Sequence, residues 1–155
     1  MKYILTVLLF ITSVSAFGQI TKQVDVLNFT SKEFKVPEGC KAKSQYQVQC
    51  ADYAMVWLYM NNEMLKTMPD QAVNQLSAQL KDFKKQAITV KLLGEEAKGY
   101  KTSFKNESTK KTGYQIIAYG VANGQPVLVQ LSLSKEPKTN DDLPDFPKQI
   151  VRLSK

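Results

Sequence analysis

The sequence contains no histidine, which removes the commonest general base and the usual metal ligand of proteins. Its seven glycines stand singly, so the chain lacks a glycine-rich phosphate-binding loop. Adjacent acids occur at Glu95-Glu96, but two neighbouring side chains of an extended strand point to opposite faces. We therefore expect a protein that is not an enzyme and that binds neither a cofactor nor a metal ion.

Arginine is almost absent: Arg152 is the only one among 21 basic side chains, and the formal net charge is +7. Nucleic-acid sites prefer arginine in clusters, whereas scattered lysine is a common means of keeping a protein soluble. The composition therefore predicts no nucleic-acid partner.

A long apolar run occurs only at the start of the chain, from Ile4 to Thr12, after a single lysine. Small residues, Ala16 and Gly18, follow it and favour cleavage before Gln19. A bilayer-spanning helix needs about 20 apolar residues, so the run is too short for a stable membrane anchor. We interpret residues 1–18 as a signal peptide, the alternative being an ordinary buried strand. Residues 19–155 then form a single domain, secreted across the inner membrane and periplasmic or extracellular.

Cysteine is scarce too, with only Cys40 and Cys50 in the chain. In an oxidising compartment, two cysteines and no third predict one disulfide bond. The alternative is a pair of free, buried thiols.

The clearest fold signal is a hairpin from Gly113 to Ser134, in which Asn123-Gly124 separates two apolar, β-rich arms. Both arms carry apolar side chains on both faces, which is typical of interior strands covered on two sides. The run from Tyr53 to Met60 has the same property. Its one face is aliphatic, and the other is aromatic or sulfur-containing and consists of Tyr53, Met55, Trp57 and Tyr59. This aromatic row is either core beneath a helix or the floor of a ligand or partner groove.

Two helices are predicted. The first begins with Thr67 as cap and Pro69 in the first turn, and apolar side chains continue at helical spacing to Ala87. Its last turns contain Lys81, Lys84 and Lys85. The second begins near Asp145 and runs to the end of the chain. Asp141, Asp142 and Asp145 either bind a calcium ion weakly or simply mark the start of this helix.

With three strands before the first helix and four between the two helices, the predicted order of elements is βββαββββα. This is an α+β fold with a mostly antiparallel sheet covered by two helices as an α/β/α sandwich.

The segment Phe34-Lys35-Val36-Pro37-Glu38-Gly39 resembles the opening motif of the PsbP/Mog1/DcrB-like superfamily. From Phe34 onward the order of elements is similar too, and Gly99-Tyr100 and the hairpin from Gly113 to Ser134 resemble the paired later strands. The resemblance implies an α/β/α sandwich and a non-enzymatic accessory or partner-binding role. It implies no catalytic residues.

The most charged loop, residues 105–111, contains Lys105, Lys110 and Lys111. These lysines are either a solvated hairpin tip or a contact for an acidic partner or membrane surface. Our first hypothesis is an exported, non-catalytic binding protein that contacts another protein, such as an immunity-type inhibitor of a secreted effector. The alternative is a small-ligand or lipid carrier that uses the aromatic row.

Overall fold

The computed structural model describes residues 23–154, so the predicted signal peptide, residues 1–18, lies outside the described residues. Ten strands, two helices and a short 3₁₀ turn make up the fold. The elements are β1 (Val26–Phe29), β2 (Lys32–Lys35), β3 (Lys41–Ser44), β4 (Gln47–Gln49), β5 (Tyr53–Tyr59), α1 (Asn62–Gln79), β6 (Lys81–Leu92), β7 (Glu95–Lys105), β8 (Thr112–Ala122), β9 (Gln125–Leu133), the 3₁₀ turn (Asn140–Asp142), α2 (Asp145–Ile150) and β10 (Val151–Leu153).

Eight strands form one antiparallel sheet in the order β10-β6-β7-β8-β9-β5-β4-β3, and β1 and β2 form a separate hairpin. The predicted hairpin is confirmed as β8 and β9, with Ala122 opposite Gln125. Its turn places Asn123 and Gly124 at φ 48° and 76°, the left-handed region that this dipeptide tolerates. With a mainly antiparallel sheet and two helices, the α+β class is confirmed.

One face of the sheet, here called the hairpin face, is covered by the β1–β2 hairpin and by α2. Phe29 of the hairpin meets Trp57 edge to face with ring centroids 5.6 Å apart. Phe34 of β2 meets Phe146 of α2 in the same way, also at 5.6 Å. Leu27, Val129 and other apolar side chains complete this main core. Non-polar burial on this face supplies most of the fold's hydrophobic stabilisation.

Among residues 23–154, the opposite face, here called the helix face, is covered only in its middle, by α1. Val73 and Leu76 of α1 pack on Ile117, which is 1% exposed. Toward β5 this cover ends, and Val56 is 42% exposed. The prediction that β5 is apolar and covered on both faces therefore holds for the hairpin face alone, because α1 lies over β6, β8 and β9.

The first helix is shifted toward the N-terminus relative to its prediction. Asn61, rather than Thr67, is the cap, and its Oδ1 accepts a hydrogen bond of 2.8 Å from the Met64 amide. Pro69 therefore lies inside the helix, although its ring nitrogen cannot donate to the preceding turn. The helix ends at Gln79, so Lys84, Lys85 and Ala87 belong to β6 instead.

The order of elements also differs from the predicted βββαββββα. Five strands precede α1 instead of three, because Val26–Phe29 forms β1 and the polar segment Lys41–Ser44 forms β3. The second helix begins at Asp145 as predicted, but it ends at Ile150. The chain then extends as β10, because Val151 and Leu153 pair with Leu92 and Val90 of β6. Among residues 23–154, neither helix is long and apolar enough to span a bilayer.

The disulfide between Cys40 and Cys50 is confirmed, with Cα atoms 4.3 Å apart. Cys40 precedes β3 and Cys50 follows β4, so the bond closes the open end of this two-stranded hairpin. Burial and the neighbouring Asp52 carboxylate raise the pKa of the adjacent Tyr53 to about 12. The Tyr53 hydroxyl lies 3.9 Å from the Cys40 sulfur.

A row of polar side chains crosses the helix face. Thr102 lies opposite Gln115, and Gln115 lies opposite Ser132 on the next strand. Gln115 donates to the Ser132 hydroxyl at 3.3 Å. Within the described part of the chain, the buried Thr102 Oγ1 and Gln115 Oε1 have no hydrogen-bond partner. A buried hydroxyl without a partner is destabilising by about 1–3 kcal/mol.

Replacing Thr102 with valine should therefore raise the free energy of unfolding by about 1 kcal/mol, since it removes the unpaired hydroxyl and keeps the shape. Urea unfolding followed by circular dichroism measures this change. The matched variant, Thr102→Ser, keeps the hydroxyl and loses the methyl group, and should be destabilising. A valine variant less stable than the wild type would show that the hydroxyl is satisfied by a bound water molecule.

Candidate functional site

Strands β6 and β7 place a group of lysines at one end of their hairpin. Lys84 lies opposite Ser103, Lys85 opposite Thr102, and Gln86 opposite Lys101. Since side chains alternate along a strand, Lys84 and Lys101 project on the hairpin face, and Lys85 projects on the helix face. This end lies beyond the apolar core that β1, β2 and α2 cover.

A cleft of about 150 Å³ opens on this end of the sheet. It is lined by Lys84, Lys85, Gln86, Lys101, Thr102, Ser103, Tyr114 and Glu136. The Lys101 ammonium lies 3.3 Å from the Glu136 carboxylate, which the segment after β9 supplies. The cleft therefore presents amines, hydroxyls and an amide, with a single carboxylate among them. Such a lining suits a carboxylate or another oxyanion.

The loop that follows β7 holds the three lysines that the sequence singled out. Asn106 shapes this loop, because its side-chain oxygen accepts hydrogen bonds from both the amide and the hydroxyl of Ser108 and from the Thr109 amide. The backbone turns at Lys110, where φ is 58°. Lys105, Lys110 and Lys111 are all exposed, so their ammonium groups are free to meet a partner.

These lysines continue the group on β6 and β7. Lys105 lies directly opposite Lys81 in the ladder and four residues beyond Lys101, about 13 Å along the strand. We call the combined surface the basic end. It consists of Lys81, Lys84, Lys85, Lys101, Lys105, Lys110 and Lys111. Within residues 23–154, Lys101 alone of these seven forms an ion pair.

Tyr100 lies at the basic end on the helix face, where it contacts both α1 and Lys85. Its hydroxyl donates to Asp70 of α1 at 2.7 Å, and this bond, together with burial, holds the pKa of Tyr100 well above its ordinary value. The Tyr100 ring stacks on Tyr119, and the Lys85 ammonium lies 5.8 Å from the Tyr100 ring centroid. This cation–π contact positions Lys85 near the open edge of the sheet.

The aromatic row of β5 lies on the hairpin face. Trp57 is 3% exposed, and its indole N–H donates to the Asn28 carbonyl at 2.9 Å. The Tyr59 hydroxyl donates to the same carbonyl at 3.2 Å and accepts from the Thr30 amide at 2.7 Å. Tyr53 and Met55 are also buried. The row is thus packed beneath a β hairpin, whereas the sequence suggested either a helix or a groove above it.

The aspartates before α2 act on the backbone. The Asp142 carboxylate accepts hydrogen bonds from the Thr139 and Lys138 amides at 2.7 and 2.9 Å, and these bonds lower the pKa of Asp142. Asp145 occupies the first turn of α2, where a negative charge suits the helix dipole. In the part of the chain that the structure describes, no group of three or more potential ligating side chains could hold a metal ion.

No protein-family model matches the chain. No curated protein matches it either. The basic end and the aromatic row are therefore the features from which a function is inferred.

The structure brings Lys105, Lys110 and Lys111 together with lysines that the sequence pattern had placed elsewhere. Lys81, Lys84 and Lys85 suited the last turns of a helix, but they lie on β6 beside β7. The strand pattern of Ile88, Val90 and Leu92, each apolar and two residues apart, is the sequence signal that marks β6. If this strand is extended toward the N-terminus from Ile88, Lys81, Lys84 and Lys85 fall on it, beside β7.

Proposed function

We propose that the protein is an exported, non-catalytic binding protein whose basic end contacts an acidic surface of another protein in the periplasm or at the cell surface. An immunity-type inhibitor of a secreted effector is one form of this function. The proposal includes an α/β/α sandwich related to the PsbP/Mog1/DcrB-like superfamily, as the motif from Phe34 to Gly39 suggests. Export is supported by the Cys40–Cys50 bond, since disulfides persist in oxidising compartments.

The observation that carries the proposal is the concentration of lysines at the basic end, of which Lys101 alone forms an ion pair within residues 23–154. Lys81 and Lys105 face each other directly across the ladder, and Lys110 and Lys111 are adjacent. Like charges directly opposite in a sheet are destabilising, so folding alone does not favour this arrangement. An acidic partner would relieve the repulsion and would be steered toward this end before contact.

The test is a charge reversal of the three loop lysines, Lys105→Glu, Lys110→Glu and Lys111→Glu together. Poly-L-glutamate is the probe, and its binding is measured by calorimetry at low salt. Six charge units are lost at the contact, so we expect the affinity to fall by about tenfold or more. Raising the salt concentration should weaken binding of the wild type.

The matched control reverses Lys32, Lys35 and Lys43, which are equally exposed but lie on β2 and β3. This control changes the net charge by the same amount and should alter affinity by less than about twofold. Equal losses in both variants would show that only net charge matters and would overturn the proposal. Binding to vesicles that contain anionic lipid, without binding to poly-L-glutamate, would instead indicate a membrane surface.

A carrier function is the second candidate, and one observation favours it. The β1–β2 turn above the aromatic row holds Thr30 and Ser31 at φ 46° and 67°, a conformation that strains residues with a Cβ atom, and β-branched threonine most. Because this hairpin covers Trp57, it would have to move for a ligand to reach the indole. A carrier predicts that a fatty acid changes Trp57 fluorescence, whereas an unchanged spectrum at saturating ligand would exclude this use of the row.

A further inference from the structure

Strand β6 is only partly paired on its outer side. Strand β10 covers Val90 to Leu92, and the Ser154 amide donates to the Thr89 carbonyl at 3.1 Å. From Lys84 to Ile88, β6 pairs with β7 on its inner side. Within residues 23–154, no strand pairs with this stretch on its outer side. The sheet therefore has an open edge here that is five residues long.

The backbone groups of this edge that face outward follow from the alternation of the strand. The Thr89 carbonyl points toward β10, and in an antiparallel strand every second residue directs both its N–H and its C=O to the same side. Ala87 and Lys85 therefore direct their N–H and C=O groups outward. Both residues are exposed, so four backbone groups are available to an incoming strand.

Lysines flank this edge on both faces of the sheet. Lys84 and Lys101 lie beside the cleft on the hairpin face, and Lys85 lies over Tyr100 on the helix face. A second copy of the chain, aligned edge to edge, would bring lysines against lysines, and such inward charges keep identical edges apart. An extended segment with carboxylates on both of its faces would instead find an ammonium group on each side.

We propose that the outer edge of β6, between Lys84 and Ile88, accepts an extended acidic segment of the partner protein as an added antiparallel strand in line with β10. This inference rests on the proposed function and specifies how the partner binds. Main-chain hydrogen bonds to Lys85 and Ala87 supply affinity, as in other cases of strand addition. Carboxylates that reach Lys84 on one face and Lys85 on the other select an acidic sequence.

The probe is the synthetic peptide acetyl-Val-Glu-Glu-Val-Glu-Glu-Val-amide, which places carboxylates on both faces when extended. The decisive variant is Ala87→Pro, which removes one outward N–H but no hydrogen bond to β7, so an edge position tolerates it. We expect it to weaken binding by about tenfold, because the ring also obstructs the incoming strand. The matched control, Ala87→Val, keeps the N–H and should change affinity by less than about threefold.

Hydrogen exchange gives a readout that a purely electrostatic contact would not change. In the wild type saturated with peptide, the Lys85 and Ala87 amides should exchange at least about tenfold more slowly than in the free protein. A peptide N-methylated at alternate residues, on the edge that faces β6, should give neither binding nor protection. This second probe keeps the test decisive if Ala87→Pro does not fold.

The outcomes separate the two proposals. Binding that survives both Ala87→Pro and N-methylation, but is lost on reversal of the loop lysines, overturns strand addition and leaves an acidic partner. Absence of binding to both the peptide and poly-L-glutamate overturns both proposals. Binding that is lost in Ala87→Pro and kept in Ala87→Val, with protection of both amides, supports the added strand.

Discussion

Replacing Trp57 with alanine is expected to lower the free energy of unfolding by about 3–5 kcal/mol. The indole is 3% exposed, contacts Phe29 edge to face and donates a hydrogen bond to the Asn28 carbonyl. Truncation leaves a cavity beneath the β1–β2 hairpin and an acceptor that has lost one donor. Because Trp57 is the only tryptophan, urea unfolding should be followed by far-ultraviolet circular dichroism.

The matched variant, Trp57→Phe, separates packing from hydrogen bonding at the same position. It retains an aromatic ring toward Phe29 and loses the N–H, so a loss of about 1–2 kcal/mol is expected. An alanine variant destabilised by less than about 1 kcal/mol would contradict the packed arrangement, since a side chain on an open groove contributes little to stability. That result would favour the carrier function.

Loss of the Cys40–Cys50 bond is expected to destabilise the fold by about 2.8 kcal/mol. The two cysteines are separated by 10 positions, and the closed loop restricts the unfolded chain more than the folded one. The oxidised and the reduced wild type should be compared in urea unfolding, with dithiothreitol as reductant.

The double variant, Cys40→Ala with Cys50→Ala, is the companion measurement because it cannot reoxidise. It should match the reduced wild type to within about 1 kcal/mol, the difference being the packing of two half-buried sulfurs. Equal stability of the oxidised and reduced wild type would show that the β3–β4 hairpin does not depend on the bond.

Local patterns were sufficient to predict several parts of the fold. The Asn123-Gly124 turn requires two residues with positive φ, and few dipeptides satisfy that requirement as well. The alternation along Tyr53 to Tyr59 gave both the strand and the membership of its two faces. The Cys40–Cys50 pair was predicted from the count of two cysteines together with an expected oxidising compartment.

The boundary between α1 and β6 could not be predicted from local patterns. Leu76, Leu80, Phe83 and Ala87 keep helical spacing, so the sequence alone favours one continuous helix. The structure ends the helix at Gln79 because Lys84 and Lys85 pair with β7, and Phe83 still packs near Ile117 from the strand. The pairing of β6 with β7 thus overrides the helical spacing of these apolar residues. The cluster of lysines at the basic end was missed for the same reason.

The position of the β1–β2 hairpin over the aromatic row also could not be predicted from local sequence patterns. The Asn28 carbonyl accepts from Trp57 and Tyr59, which lie 29 and 31 positions later. No spacing rule links a short N-terminal strand to a row so distant. A core beneath a helix and a groove require the same side chains in the row, and they differ only in what lies above it.

The β3–β4 hairpin combines a disulfide between residues close in sequence with a place beside β5, which makes long-range contacts. Its cysteines are close in sequence, whereas β5 beside it reaches the rest of the sheet only through β9, where Trp57 pairs with Val129. Two cysteines allow a single intramolecular connectivity, so oxidation cannot trap a mispaired monomer. The covalent bond needs only residues that are close in sequence, so it can form in a chain in which the distant β5–β9 pairing is absent.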